Sequence, residues 1–424
     1  MKASTLADQL RDGSLDPRLA EIYFADGVEA ARARLLALVD RYEAAAPGAE
    51  ATIVTAAGRT EMGGNHTDHQ HGRVLAASVS LDTVACGGQS GTHEIRVLSE
   101  GYPDVVVDLA QLEPIPGEEG DATAIVRGIA RAMVDRGFEI RGTTMVTSSA
   151  VPGGSGLSSS AAFEILVGNM LNHLFCEDSL TPVELAQIGK YAENVFFGKP
   201  SGLLDQMACS IGGVVSIDFA DPETPVWEQV HVDLAAVGYV LCIIDSGADH
   251  ADLTHEYAAI VDEMAAVAAH FGATHLREVS PGAFWGDLAA ARAASNDRAV
   301  LRAIHFFDDD ARVPQQAQAL RDGRFADFLA LVNESGISSA THLQNVSSTE
   351  TPTSQAVAVT IALATHLLGG RGAVRVHGGG FAGTVQAWVP TEMAAGFVAG
   401  IDAVLGDGAC DVVRIRPVGG AVIA

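Results

Sequence analysis

Apolar and polar positions along the chain follow two periods, one helical and one alternating. Around "AARARLLALVDRY" the apolar residues recur at helical spacing and predict a helix over 16–46. "ATIVTAAGR" (51–59) is a short apolar strand, and "RVLAASVSLDTVACGG", "EIRVLSEG" and "DVVVDLA" are further strands bounded by glycine. A helix over about 121–137 and the strand "GTTMVTSSAV" come next. The loop "PGGSGLSSS" then opens directly into a strongly apolar helix. A second helix begins at "TPVELAQIGKYAENVFF", with Thr181 as N-cap and Pro182 at its first position. Strand pattern returns at "GGVVSIDF" and "VGYVLCIIDSG".

The second half is helix-rich from Ala251 to about Asn333. The polar loop "NVSSTETPTSQ" interrupts it before a helix at 355–368. The chain closes as strands "VRVHGGG" and "TVQAWVP", a helix at 391–405 and strand "CDVVRIRP". No internal repeat or low-complexity linker is visible. At 424 residues two domains are expected, and "DPETP" breaks the pattern near 220–240, giving domains 1–230 and 231–424.

Charge narrows the partners. Acidic residues outnumber basic ones 53 to 26, a formal net charge of -27 that would repel a nucleic-acid backbone. A polyanionic substrate would therefore need local backbone amides and a metal ion to overcome the general repulsion. No run of eighteen or more apolar residues exists, and "MKASTLADQLRDG" lacks an apolar signal region. A cytoplasmic protein with no membrane partner is expected, as a monomer or weak homo-oligomer. The five cysteines are dispersed without a C-x-x-C pair and read as buried reduced thiols.

Two stretches carry chemistry. In "VPGGSGLSSSAA", Gly153, Gly154 and Gly156 allow close backbone approach, while Ser155, Leu157, Ser158, Ser159 and Ser160 lead into a helix start. Unpaired amides and the positive end of a helix dipole suit a phosphate there. No lysine follows Gly156, so this is not a Walker A loop, and a plain turn before a core helix remains the alternative. The second stretch, "GGNHTDHQHGRV", sets His66, Asp68, His69 and His71 close together. Alone it reads either as a zinc site or as a wall that holds something else.

Taken together, these stretches resemble the GHMP kinases, whose P-x-x-x-G-L-[GS]-S-S-A is here "PGGSGLSSSA". The resemblance narrows to the galactokinase family. Its G-R-x-N-L-I-G-E-H-T-D-Y signature is similar to "GRTEMGGNHTDH", and its A-E-x-x-x-x-G-x-x-C/S-G-I-M-D-Q to "AENVFFGKPSGLLDQ". Near the C-terminus "GGGFAGTVQAWV" is similar to a fourth block. The four blocks span 58–389 in the family's order.

The resemblance implies an α+β, two-domain GHMP kinase fold. Its N-terminal domain would be ribosomal-protein-S5-domain-2-like and its C-terminal domain ferredoxin-like, with ATP and sugar meeting between them. It implies ATP-dependent phosphorylation of galactose at the anomeric hydroxyl, with Mg2+. Asp205 would be the catalytic aspartate, accepting or orienting the hydroxyl proton, and Arg59 its neighbouring arginine. Ser160 and Glu193 match metal-holding positions. Asn65, His66, Asp68, Gly202 and Tyr257 match positions that bind the sugar. Read without the resemblance, Asp205 is a helix or turn cap, Arg59 a surface charge, Glu193 a solvent-facing helix residue and Asp68 a turn cap.

The departures bear on substrate. Asn65 stands where the family has Glu, and His69 where it has Tyr. The basic pair expected after the Tyr257 motif is Ala259 and Ile260, and Gly336 occupies a histidine position. The alternatives are a kinase for another sugar or small alcohol, a non-catalytic sugar and ATP sensor, and a zinc hydrolase built on the histidines. On the sugar-wall reading, His69 lines the pocket and His71 is surface.

Overall fold

The computed structural model describes residues 1–153, 156–248, 253–349 and 351–424. Gly154 and Ser155, expected in a phosphate loop, lie outside the described residues, as does Ala251, where the helix-rich half was expected to begin.

The first sheet is built from β1 (Thr52–Gly63), β2 (Arg73–Gln89), β3 (Glu94–Ser99), β4 (Val105–Asp108), β5 (Thr143–Ser149), β6 (Val214–Asp218) and β7 (Val226–Val230). β1 pairs along one side of β2; on the other side Arg73–Ala77 takes β6 and Thr83–Gln89 takes β5. β1 is buried along its whole length because both faces are covered, which is why it reads as a continuous apolar run. Ile53, Val84 and Cys86 face a cluster with Leu6, Leu38 and Tyr42 of the N-terminal helices. Val54, Ala56 and Ala85 face the larger core with Ile165, Ile188 and Met207.

The second sheet contains β8 (Tyr239–Asp245), β9 (Ala373–Val376), β10 (Thr384–Pro390) and β11 (Cys410–Val413), in the order β11-β8-β10-β9, all antiparallel. Helices Ala356–Leu368 and Ala394–Leu405 precede β9 and β11. That is the β-α-β-β-α-β order of a ferredoxin-like domain, with the helices Thr254–Ser338 inserted after its first strand. Val385, Ala387 and Val389 alternate toward the helices, while Trp388 points into the larger core.

The chain then returns to the first sheet, where β12 (Ala421–Val422) pairs with β1. Buried Arg416 reaches Asp82 at 2.9 Å and Thr55 at 3.0 Å. All five cysteines are buried and free.

Local differences from the sequence reading have identifiable causes. The helix expected over 16–46 is two, Asp16–Tyr23 and Val28–Ala45, because Phe24 takes φ 66° and Ala25–Gly27 forms a 3-10 turn. β1 continues past Arg59 to Gly63, its polar end buried by the second sheet. "DPETP" joins β6 to β7 within the first sheet, and the second sheet starts at Tyr239.

Candidate active site

Arg59 sits on β1 beside a register shift against β2, and such a bulge re-aims a side chain. Its backbone N–H donates to Leu157 O at 2.9 Å, fastening the strand to the glycine–serine loop. The guanidinium donates Nε to Asp205 Oδ1 at 2.6 Å and Nη2 to Oδ2 at 2.7 Å, and Nη1 to Gly156 O. Ser158 Oγ donates to Asp205 Oδ2 at 2.7 Å. Asp205 stands in the first turn of helix Leu204–Ile211, where the dipole favours negative charge. Burial alone would raise its pKa, but Arg59 and Ser158 outweigh that and hold it below the usual carboxylate value.

The loop itself is wedged between the two sheets. Gly156 has φ 68°, and a Cβ there would lie 2.3 Å from Thr384 Oγ1. Leu157 is buried, whereas Gly153 and Ser160 are exposed and Ser159 is half-buried. Ser158 takes φ 58° before helix Ser159–Phe175, and no side-chain cap closes that helix start among the described residues. Its first-turn amides therefore face outward, an arrangement suited to an anion.

The histidine stretch divides into three separate attachments. His66 Nε2 bonds Gly379 O at 2.8 Å, and burial pushes its pKa down to about 4, so it is neutral. His69 donates its backbone N–H (3.0 Å) and Nδ1 (2.9 Å) to Asp68 Oδ1. Burial opposes the charge on Asp68, yet His69 brings its pKa to about 2, and Asp68 in turn raises that of His69. His71 stacks on His275 at 3.6 Å between ring centroids and is half-buried, not simply surface. Among the described residues no three His, Cys, Asp or Glu side chains converge as a metal cage.

Gly202 lies against Asp68: a Cβ would stand 1.9 Å from Oδ2. Tyr257 donates its hydroxyl to Gly380 O at 2.9 Å and packs its ring edge-on against Phe381. Thus His66 and Tyr257 both pin the glycine turn at 378–380. Asn65, expected at the substrate, is fully enclosed. Its Nδ2 donates to Glu61 (3.1 Å) and Gly378 O (2.8 Å), and its Oδ1 accepts from Ser339 (3.1 Å) and Asn345 (2.8 Å). It braces the wall from behind.

Glu193 lies in a π-turn, Ala192–Phe197, and is buried, not solvent-facing. Lys199 Nζ meets its Oε1 at 2.7 Å, and Gln206 Nε2 donates to its Oε2 at 3.0 Å. Gln206 Nε2 also lies 3.0 Å from Glu164 Oε2. Glu164 is 1% exposed, and burial raises its pKa well above the usual value, with Glu193 adding to the rise. Its Oε1 and Gln206 Oε1 are buried without a hydrogen-bond partner. Glu164, Lys199 and Gln206 were not singled out in the sequence. One signal was present: Glu164 is the sole charged residue between Ser159 and Leu171 in an otherwise apolar helix.

Residues 124–213 match the family model described as the GHMP kinases N terminal domain, and residues 40–89 the galactokinase galactose-binding signature. Residues 124–213 thus carry the pattern of the GHMP kinase N-terminal domain. Solved structures share the fold of this chain over most of its length. Lactococcus lactis galactokinase complexed with galactose has TM-score 0.78 and 24% identity, covering 91% of this chain and 99% of that one. Methanococcus jannaschii mevalonate kinase has TM-score 0.61 and 15% identity, covering 87% and 100%. Streptococcus pneumoniae phosphomevalonate kinase with phosphomevalonate and AMPPNP has TM-score 0.59 and 12% identity, covering 86% and 98%. The glycine–serine loop, Arg59 and Asp205 form one bonded unit, with Asp68 and Gly202 in contact alongside. No helix among the described residues is long and apolar enough to cross a membrane.

Proposed function

We propose that the chain is a sugar 1-kinase, transferring the γ-phosphoryl group of ATP to the anomeric hydroxyl of galactose. The observation that carries this reading is Asp205, which accepts from Arg59 and from the phosphate-loop hydroxyl of Ser158. A carboxylate so placed joins the phosphate cradle to the neighbouring sugar wall. Its lowered pKa makes it a weak base but a firmly charged acceptor, suited to orienting the hydroxyl in line with the phosphorus. In a loose transition state little negative charge develops on the attacking oxygen, so orientation does most and the proton leaves late. Arg59 keeps Asp205 ionised and offsets charge on the transferring group. Asp68 supplies a carboxylate acceptor for sugar hydroxyls, and neutral His66 borders it.

Mg2+ would bind near Ser160 and Glu193. These oxygen donors fit it, and beside Glu193 the Glu164 Oε1 and Gln206 Oε1 atoms are buried without a hydrogen-bond partner. When bound, the ion neutralises phosphate charge.

The enclosed Asn65 amide favours a second reading, a kinase for a sugar that differs from galactose at a distal hydroxyl, because this side chain is already committed. ADP release with Mg-ATP across galactose, N-acetylgalactosamine, glucose, arabinose and mevalonate separates the readings. Galactose is expected to give the highest kcat/KM and a product carrying phosphate on C1. Turnover of none of them would return the chain to the sensor reading.

A further inference from the structure

The site has an unresolved charge problem. The chain carries a net charge of -27, and Val151–Phe175, which contains the phosphate loop, holds no lysine or arginine. Arg59 is bidentate on Asp205 and bonded to Gly156 O, so its single positive charge is shared with that carboxylate. Glu164, Glu193 and Asp205 add three carboxyl groups beside the place where a polyphosphate would lie, since Gln206 bridges the first two and follows the third in sequence.

Lys199 stands at that point. Its backbone N–H donates to Glu193 O at 3.1 Å, and its ammonium lies 2.7 Å from Glu193 Oε1. Glu193's side chain is 3% exposed, but that of Lys199 is 56% exposed, so the ammonium caps the buried carboxylate from the open side. The charge of Lys199 also interacts favourably with Asp205 and Glu164. An ammonium has three donors, of which Glu193 takes one. Its four-carbon stem lets the head move without displacing the backbone.

We propose that Lys199 is the phosphate-binding cation of this site, using its remaining donors on the terminal phosphate of a bound nucleotide while Glu193 holds it in place. The lysine that the loop lacks after Gly156 is thereby delivered from the segment leading to Asp205. This rests on the kinase reading for its nucleotide, though not for its sugar. No bond is made or broken in the step; Lys199 supplies charge and two hydrogen bonds.

The test is calorimetric binding of ADP and ATP to the full chain, in EDTA and with Mg2+, for wild type, Lys199→Met and Lys199→Arg. Lys199→Met is expected to weaken ADP in EDTA about tenfold and ATP by more, with Lys199→Arg restoring most of the loss. Unchanged nucleotide affinity in a folded Lys199→Met protein overturns the proposal and leaves Lys199 as a cap on Glu193. Should Lys199→Met fail to fold, the same comparison is made in EDTA between Glu193→Gln and the double variant Glu193→Gln/Lys199→Met. There, equal affinities overturn it and a tenfold gap supports it. If wild type binds ADP but phosphorylates no sugar, the kinase reading fails while these affinities still decide the role of Lys199. If wild type binds neither nucleotide, both fall.

Discussion

Asp205 is bound by three side-chain donor contacts, and Asp68 by two from His69, so each carboxylate's state depends on named neighbours. Replacing Asp205 by Ala is expected to abolish phosphoryl transfer while nucleotide affinity, read by calorimetry, stays nearly intact; unchanged turnover would remove its assigned role. The pH response follows from the shifts. Asp205 lies below its ordinary 3.8 and Asp68 near 2, so their bonded, ionised states persist above 3.8 and fade only as pH falls through the lower folded values. Neither titrates near neutrality. The pKa of His69 is raised above 6.5 by Asp68, so its charged pairing is complete below 6.5 and is lost as pH rises through the raised value. The KM for sugar is therefore expected to climb as pH rises above 6.5 through that raised value in wild type and to stay flat in His69→Gln. Parallel profiles for the two proteins would exclude His69 as the source. Arg59 and Asp205 were legible in the sequence because their blocks resemble a family's. The buried commitment of Asn65 was not, since its partners Ser339 and Asn345 lie 274 and 280 residues away, and neighbours that distant leave no local pattern.

Strands and helices were readable where their period was uninterrupted and one face was apolar. β7 was missed because four of its five residues are exposed and it lies at the sheet edge, leaving no clear alternation. β12 is only two residues long and exists through pairing with β1, far away in the chain. The glycines of the site were legible as loop formers, but not the contacts that require them. At Gly202 a methyl group would meet Asp68 Oδ2 at 1.9 Å, and that oxygen is the movable end of a side chain. Gly202→Ala should therefore fold normally, with an unchanged melting temperature, yet raise the KM for sugar about tenfold or more by turning the carboxylate away. Gly156→Ala differs, since it has φ 68° and Thr384 Oγ1 stands 2.3 Å from the added atom. There the loop itself must shift, and nucleotide affinity should fall along with turnover. Equal sugar KM in Gly202→Ala and wild type would count against Asp68 as a sugar contact.

At the scale of the molecule, a buried polar seam joins the two sheets along the end of β1, and we propose 1–230 and 231–424 as the units it holds together. His377 Nε2 accepts from Glu61 N at 3.3 Å and so carries its proton on Nδ1, toward Thr384 Oγ1. Gln386 donates to Thr60 Oγ1 at 2.7 Å and Glu61 O at 2.9 Å, and Arg375 pairs with Glu61. Arg375 is fully buried and Glu61 nearly so; burial pushes the Glu61 pKa up to about 7, with Arg375 and Arg59 restraining the rise. Because this carboxyl is raised above its ordinary 4.5, its ionisation costs stability as pH climbs from 4.5 toward 7. Removing the partner makes that cost larger. Arg375→Met is expected to lower stability by about 3–5 kcal/mol near pH 8, where Glu61 would be a buried charge without its counter-ion. At pH 5 the loss should shrink, since Glu61 then takes up a proton, and the double variant Arg375→Met/Glu61→Gln should recover much of the stability at both values. Denaturant unfolding at the two pH values measures this directly. A loss in Arg375→Met that is the same at pH 5 and pH 8 would mean that packing of the arginine, not its charge, holds the seam.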